Sequence, residues 1–278
     1  MKEYYLDIAG LRTCLRTPFE ISISENLRPF LTQKNKKIDC TITLQSTTVL
    51  PAAQEGGRWH GPEYYHGNCI YHCSTPKGQA FAVTQLLENG NIEITVLPEF
   101  ISYFSGTGGI FNRIGLETLL LQHSGLLLHA SLIKYAGQAI AFAGPSGVGK
   151  STQADIWHRY LGAKIINGDR AALRKTQTGW LAYGSSYAGT SGIYKNDNAP
   201  LAAIVLLEQG RENRFSPLTG PEAFRRIYPE LSVHQWEEGF VAAAADLCLQ
   251  LLSQVPVSLL ECLPDESAAQ LVKKGLGL

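Results

Sequence analysis

Short segments in which apolar and polar residues alternate occupy the first hundred residues, a pattern typical of β-strands. Turn-forming stretches such as PAAQEGG and ENGN separate them. The segments are FEISIS, DCTITLQSTTVL, CIYHC, QAFAVTQLL and NIEITVL. The pattern predicts a β-rich N-terminal region over residues 1–105, and no catalytic motif there indicates its role.

Strand and helix patterns alternate from about residue 106 to the end of the chain. Leucine and isoleucine at helical spacing predict a helix over residues 110–122. Strands are then predicted at LLLHASLI, AIAFA, AKIINGD, GWLAYGSS, LAAIVLLEQ and PVSLLECL. Helices are predicted near PEAFRRIY, at FVAAAADLCLQLL and from Asp265 onward. This order predicts an α/β domain over residues 106–278.

One motif with a chemical meaning lies between a predicted strand and a predicted helix. Residues 144–151, GPSGVGKS, match GxxxxGK[ST], the pattern of a phosphate-binding loop. The strand AIAFA precedes it, and Ala154, Trp157 and Leu161 follow at helical spacing. The predicted nucleotide-binding residues are Gly144, Pro145, Ser146, Gly147, Val148, Gly149, Lys150, Ser151 and Thr152.

Each residue type in this loop suits the binding of a nucleotide phosphate tail. The glycines allow successive backbone N–H groups to point at one anion, and the helix N-terminus adds a positive dipole end. Lys150 can reach the β- and γ-phosphates, and the Ser151 hydroxyl suits Mg²⁺. We therefore expect ATP and Mg²⁺ as cofactors. The alternative is a glycine-rich turn that binds no ligand.

A carboxylate at a neighbouring strand end would complete such a site. Asp169 follows the strand AKIIN and is the leading candidate for a metal-supporting acid. Because Asn-Gly-Asp also favours turns, a turn aspartate without a chemical role is the alternative.

Several segments together resemble the HPr kinase/phosphorylase family and the HPr-kinase-like proteins of peptide-modification gene clusters. The segments are LLLHASLI, AFAGPSGVGKST, INGDRAAL, GTSGIYKN and APLAAIVLLEQ. The resemblance covers roughly residues 123–275 and implies a P-loop nucleotide-binding core of the HPr kinase/phosphoenolpyruvate carboxykinase type. The N-terminal half shows no match to the domain that precedes this core in HPr kinases.

The resemblance implies roles for individual residues. His129 matches the histidine beside the transferred phosphate, and Lys150 and Ser151 match the phosphate-binding lysine and the metal-binding serine. The family usually has two aspartates after the next strand, a general base and then a metal ligand. Here that pair is Gly168-Asp169, so the metal ligand is retained and the base is absent.

Two residues are candidates to replace the missing base. Asp169 could accept the proton while supporting the metal, or His129 could accept it, since histidine exchanges protons near neutral pH. For His129 the alternative is a core histidine on a buried strand.

Other motifs carry weaker predictions. The glycine-rich segment 183–198 is predicted to be an acceptor or phosphate-covering loop with Lys195 near the phosphate, or a plain surface loop. Arg214 is a second candidate for a phosphate contact, although a solvated surface charge is the favoured interpretation. HGNCIYHC offers four potential metal ligands, but strand alternation places His72 opposite Cys69 and Cys73. The basic run Lys34, Lys36 and Lys37 is interpreted as a solvated loop.

Composition narrows the functional classes. The chain has 278 residues with 24 basic and 24 acidic side chains, so no overall charge favours nucleic acid or an anionic membrane. No stretch is long and apolar enough for a membrane span, and LETLLLQHSGLLLHASLI is interrupted by polar residues. MKEYYLDIAG contains no apolar run of the kind found in secretion signals, and the six scattered cysteines suit a reducing compartment. We expect a cytoplasmic protein.

These observations predict an ATP- and Mg²⁺-dependent kinase with a hydroxyl acceptor. A serine or threonine of a peptide or small protein is the leading expectation, and a small-molecule alcohol or amino acid is the nearest alternative. A nucleotide-binding regulator without transfer activity is the second hypothesis, motivated by Gly168. A nucleoside or nucleotide kinase is less favoured because no arginine-rich lid is evident. The resemblance is also compatible with a homo-oligomer.

Overall fold

The computed structural model describes residues 1–34 and 37–278, so Lys36 of the basic run lies outside the described residues. The chain has a mixed α/β fold with two β-sheets and forms two compact units, Met1–Leu116 and Glu117–Leu278. Among the described residues, none of the helices combines the length and the apolar character needed to cross a membrane.

The first unit contains an eight-stranded sheet. Its strands are β1 (Lys2–Ile8), β2 (Leu11–Thr17), β3 (Cys40–Ser46), β4 (Arg58–His60), β5 (Glu63–His66), β6 (Cys69–Cys73), β7 (Ala80–Leu86) and β8 (Ile92–Val96). They lie in the order β1-β2-β3-β8-β7-β6-β5-β4. The β2–β3 and β3–β8 pairs are parallel and the others antiparallel. Alternating burial along β3 and β8 reflects the alternation in their sequences.

The FEISIS segment does not form the predicted strand. Within it, Ser22 pairs with Gly106 as an isolated bridge, and Ile21 alone of its side chains is fully buried. A strand needs a partner along its length, which alternation in one segment cannot reveal. The first unit also contains the 3₁₀ helices Glu25–Phe30, which follows this segment, and Pro98–Phe104, which follows β8.

The single helix predicted over residues 110–122 is two shorter helices. These are α1 (Thr107–Ile114) and α2 (Leu116–Gln122), and Gly115 lies between them. Gly115 has φ of 77°, a left-handed conformation that glycine adopts readily and that ends a helix.

The second unit contains another eight strands. They are β9 (Gly125–Tyr135), β10 (Gln138–Ala143), β11 (Lys164–Asn167), β12 (Arg170–Thr176), β13 (Gly179–Tyr183), β14 (Asn198–Gln209), β15 (Arg214–Pro217) and β16 (Val257–Cys262). The sequence pattern had not indicated β12 and β15. The order is β10-β9-β12-β13-β14-β16-β15, and β11 pairs with β9.

Five of these strands form a closed circuit. Strand β10 pairs antiparallel with the second half of β9 and parallel with β14. The first half of β9 pairs with β12, β12 pairs with β13, and β13 pairs with the start of β14, which closes the circuit. The circuit is possible because β9 and β14 are long enough for each to pair with β10 along one part and with another strand along the rest. The loop after β10 therefore begins at the centre of the sheet.

Helices cover both faces of the second sheet. They are α3 (Lys150–Leu161), α4 (Gly220–Ile227), α5 (Glu238–Leu252) and α6 (Glu266–Leu276). Trp157 of α3 and Val272 of α6 are fully buried with Phe142 of β10 on one face, and α4 and α5 share a second core with the other face. Asp265 caps α6 by accepting a hydrogen bond from the Ala268 N–H, as the sequence predicts for the last helix.

Candidate functional site

The predicted phosphate-binding loop connects β10 to the first turn of α3. Gly144, Gly147 and Gly149 have φ values of 139°, 81° and 112°, conformations that side chains other than glycine rarely adopt. A Cβ atom on Gly144 would also lie 3.2 Å from Val148 Cγ1 and 3.3 Å from the Leu207 carbonyl oxygen. The loop thus packs tightly against β14, while α3 directs its N-terminal amides toward the loop.

Lys150 lies at the start of α3 and is only 7% exposed. Its Nζ atom donates hydrogen bonds to the carbonyl oxygens of Gly144 (2.7 Å) and Pro145 (3.0 Å) in its own loop. Burial lowers the pKa of Lys150, and the negative charges of Glu230 and Asp169 oppose this shift. Lys150 is therefore a buried lysine whose ammonium group is held by the carbonyls of the loop itself.

Asp169 is held in place by a turn at the end of β11. The buried Asn167 side chain accepts hydrogen bonds from the N–H groups of Asp169 (2.9 Å) and Arg170 (2.7 Å). Its amide group donates to the carbonyls of Ser185 (3.0 Å) and Tyr187 (2.9 Å). The Asn-Gly-Asp sequence is therefore a turn, and that turn fixes the position of the Asp169 carboxylate.

His129 lies between two carboxylates. Its Nε2 is 3.6 Å from Asp169 Oδ1, and its Nδ1 is 3.3 Å from Glu230 Oε2. Strand pairing explains the first contact, because Arg170 of β12 pairs with His129 of β9 and the Ala130 N–H donates to the Asp169 carbonyl. The His129 side chain is 29% exposed, so the interpretation as a sealed core histidine does not describe it.

Sequence reasoning missed Glu230. It ends a short 3₁₀ helix, Tyr228–Glu230, and its side chain is 13% exposed. The next residue, Leu231, pairs with Leu128, and the Ser232 N–H donates to the Leu127 carbonyl (2.9 Å). These backbone contacts bring Glu230 beside His129, although no motif in the sequence connects the two.

Most of the predicted site residues line one cavity of about 380 Å³. The predicted residues in its wall are His129, Ser146, Gly147, Gly149, Lys150, Ser151, Thr152 and Asp169. Of the remaining three, Gly144 is buried, Pro145 is exposed and Val148 packs on the core beneath α3. Gly168, Gly189 and Thr190 complete the lining.

The segment after β13 folds tightly over Gly168 and Asp169. A Cβ atom on Gly168 would overlap the Ser191 hydroxyl, and one on Gly189 would lie 2.8 Å from Asp169 Cβ. Ser191 Oγ donates to the Ala188 carbonyl (2.7 Å) and accepts from the Ile193 N–H (3.2 Å). We call residues 188–192 the covering turn. It occupies the space that a side chain at position 168 would need.

Residues with weaker predictions lie elsewhere. Lys195 is exposed, and its backbone N–H donates to the Ile166 carbonyl (3.0 Å). Arg214 is 63% exposed and pairs with Glu212 (2.5 Å), in agreement with a surface charge.

In the HGNCIYHC segment, His72 is buried and hydrogen-bonded to Glu63 (3.1 Å) and Thr84 (2.8 Å). Within residues 1–34 and 37–278, no group of three or more His, Cys, Asp or Glu is arranged to hold a metal ion.

The groups around the cavity match the chemistry of a magnesium-bound phosphate tail. The helix N-terminus and Lys150 provide positive charge, whereas the exposed Ser151 hydroxyl and the Asp169 carboxylate provide oxygen ligands. Mg²⁺ prefers one or two such protein oxygens together with phosphate and water. The residues present therefore fit both groups.

Comparison with solved structures gives a distant resemblance, whereas the other comparisons give no match. No protein-family model and no curated protein matches the chain. Among solved structures, the HPr(Ser) kinase/phosphatase from Coxiella burnetii is similar with a TM-score of 0.32 and 12% sequence identity. The similarity covers 55% of this chain and 99% of that chain.

Proposed function

We propose that this chain is an ATP- and Mg²⁺-dependent kinase that transfers phosphate to the hydroxyl of a serine or threonine in a peptide or small protein. One observation carries the proposal. The wall of a single cavity combines the phosphate-loop residues Lys150 and Ser151 with His129 and Asp169.

In this proposal the loop and the lysine hold the triphosphate. Amide groups at the start of α3 contact the phosphates, and Lys150 leaves its two carbonyl partners to neutralise phosphate charge. Ser151 and Asp169 would hold Mg²⁺, which would withdraw charge from the phosphate oxygens. Orientation within such a site supplies about 7 to 11 kcal/mol of the barrier reduction, so a strong base is not essential.

The proton of the acceptor hydroxyl passes to Asp169 or to His129. Gly168 has no side chain to accept it, and both alternatives line the cavity. Glu230 faces the opposite nitrogen of His129, so it can hold the ring with Nε2 directed at the reacting groups. Single-turnover transfer by His129→Gln separates the two assignments, because Asp169 also holds the metal in this proposal. A retained rate would assign the proton to Asp169, and a large loss with unchanged MgATP affinity would assign it to His129.

Calorimetry and a transfer assay test the proposal in sequence. MgATP is titrated into wild type, Lys150→Ala and the exposed-lysine control Lys274→Ala. We expect Lys150→Ala to weaken binding at least about 10-fold, because a hydrogen bond to a charged group contributes about 1.5–3 kcal/mol. Lys274→Ala should bind as wild type does. Absence of MgATP binding by wild type would refute the proposal.

The transfer assay identifies the acceptor class. γ-labelled ATP is supplied with serine- and threonine-containing peptides, with matched alanine peptides, and with free serine and simple alcohols. Label on the hydroxyl peptides alone supports the proposal. Label on free serine or alcohols would instead identify a small-molecule kinase.

A nucleotide-binding regulator without transfer activity is the second candidate. Two observations favour it: Lys150 is satisfied by its own loop, and the covering turn fills the space beside Gly168. Tight MgATP binding with no label on any acceptor would establish this candidate and exclude the kinase.

A further inference from the structure

We propose that Thr190 of the covering turn is a phosphoacceptor of this chain's own active site, so that the protein phosphorylates itself. The inference rests on the proposed function, because it needs MgATP in the cavity lined by Lys150 and Ser151. It adds a modification site to the region after β13.

Thr190 lies in the wall of the phosphate cavity. The same wall contains Lys150, Ser151 and Asp169. The preceding residue, Gly189, packs so closely on Asp169 that a Cβ atom there would lie 2.8 Å from Asp169 Cβ and 2.9 Å from its Cγ. Thr190 therefore directly follows a residue that packs on Asp169, and both Thr190 and Asp169 line the cavity.

The two hydroxyl residues of the turn differ in their environment. Ser191 is half-buried, and its hydroxyl closes the turn by bonding the Ala188 carbonyl and the Ile193 N–H. Thr190 is exposed to the cavity. Transfer to Ser191 would break the turn, whereas transfer to Thr190 leaves these bonds intact.

The backbone allows Thr190 to approach a phosphate. Gly189 and Gly192 flank the Thr190–Ser191 pair with φ values of 53° and 66°, and glycine can also adopt other backbone conformations without a steric penalty. Asn167 anchors the preceding residues through Ser185 and Tyr187, so a change confined to the two glycines would leave that anchor in place.

The chemical step is an in-line displacement at phosphorus. The Thr190 hydroxyl oxygen forms a bond to the γ-phosphorus of ATP, and the bond between that phosphorus and the β,γ-bridging oxygen breaks. The hydroxyl proton passes to Asp169 or to His129, as in the proposed function, and ADP leaves with the bridging oxygen. The products are phosphothreonine and ADP, with no oxidation or reduction.

Intact-mass spectrometry of the full chain tests the inference. Purified protein is first freed of phosphate with a phosphatase and then incubated with MgATP. We expect a mass gain of one phosphoryl group per chain, mapped by peptide fragmentation to Thr190. The fraction of chains phosphorylated per unit time should be independent of protein concentration, because donor and acceptor belong to one molecule. A fraction per unit time that rises in proportion to protein concentration would overturn the intramolecular transfer.

Three variants identify the acceptor. Thr190→Val keeps the shape of the side chain without the hydroxyl and should abolish the gain. Thr190→Ser should retain it as phosphoserine. Thr178→Val, at an exposed turn threonine between β12 and β13, should gain mass as wild type does. A gain that persists in Thr190→Val would overturn the inference.

The same samples separate this inference from the proposed function. If wild type binds MgATP and labels a peptide but gains no mass, only self-phosphorylation is refuted. If wild type does not bind MgATP in the calorimeter, the proposed function fails first.

Discussion

At the scale of single residues, the absence of a side chain at Gly168 shapes the site. Its φ is outside the left-handed region, so backbone conformation does not demand glycine there. Glycine is required at position 168 for a steric reason, because an added Cβ atom would overlap Ser191 Oγ and lie 2.6 Å from Ser191 Cβ. An aspartate at this position is incompatible with the covering turn as it is folded.

The steric pairing of Gly168 with Ser191 predicts a non-additive pair of substitutions. Gly168→Ala should lower the free energy of unfolding by about 1–3 kcal/mol, the usual cost of overpacking. In a Ser191→Gly background the overlap disappears, so the same substitution should cost less. Urea denaturation of the four proteins in this double-mutant cycle measures the coupling. Additive effects would contradict the proposed contact.

Glu230 predicts a separation of transfer rate from nucleotide affinity. Glu230→Gln should slow transfer about 10- to 100-fold, by analogy with the loss of a partner that orients a metal-bound histidine. ATP binding should not weaken, because removing a negative charge near Lys150 cannot disfavour an anion. Single-turnover rates and calorimetric affinities give the two quantities.

Two further variants control the Glu230 experiment. Glu212→Gln, at an exposed position, should leave both quantities unchanged. Glu230→Ala, which removes the acceptor altogether, should be slower than Glu230→Gln. Equal losses of affinity and rate would show that Glu230 does not act through His129.

At the scale of secondary structure, the apolar periodicity of the sequence predicts helices and strands whose interaction partners are close in the sequence. The strand–loop–helix order of β10, the glycine-rich loop and α3 follows from the sequence, because both elements carry clear apolar periodicity. Strand β12, RAALRKT, is missed because its polar second half masks the apolar start. Glu230 is missed for a different reason, since its place depends on a backbone pairing with β9.

His234 connects two helices of the second unit through charge. Its Nε2 is 3.4 Å from Glu117 of α2, and its Nδ1 is 3.7 Å from Glu237, which precedes α5. The ring also stacks between Trp236 and Phe240, with centroid distances of 5.0 and 4.3 Å. Burial opposes the charged form, but the hydrogen bonds and charges of Glu117 and Glu237 raise the pKa of His234 to about 9.

The raised pKa of His234 predicts that its contribution to stability depends on pH. The contribution is complete below the unfolded value of 6.5 and is lost as the pH rises through about 9. The shift corresponds to about 3 kcal/mol, for a side chain that is 11% exposed. Urea denaturation of wild type and His234→Gln at pH 6 and pH 9.5 should show a difference that shrinks at the higher pH. A constant difference would contradict the ion-pair interpretation.

At the scale of the whole molecule, each compact unit has buried apolar residues of its own. In the first unit, Leu15, Ile42 and Ile94 are fully buried, and in the second Phe142 and Trp157 are. All the proposed nucleotide contacts belong to the second unit, so the effects of ligand binding are expected to be unevenly distributed along the chain.

Hydrogen exchange should reveal this uneven distribution. Added MgATP should slow amide exchange in residues 144–152 and 167–169, because these backbone groups face the bound phosphates or support Asp169. Exchange in β1 to β8 of the first unit should stay unchanged. At a nucleotide concentration 100 times the dissociation constant, binding adds about 2.7 kcal/mol to stability, enough to measure wherever exchange requires opening of the site.

Two variants control the exchange experiment: Lys150→Ala should reduce the protection from exchange that MgATP confers, and Lys274→Ala should not. Protection spread equally over Met1–Leu116 would contradict a nucleotide site built from the second unit alone.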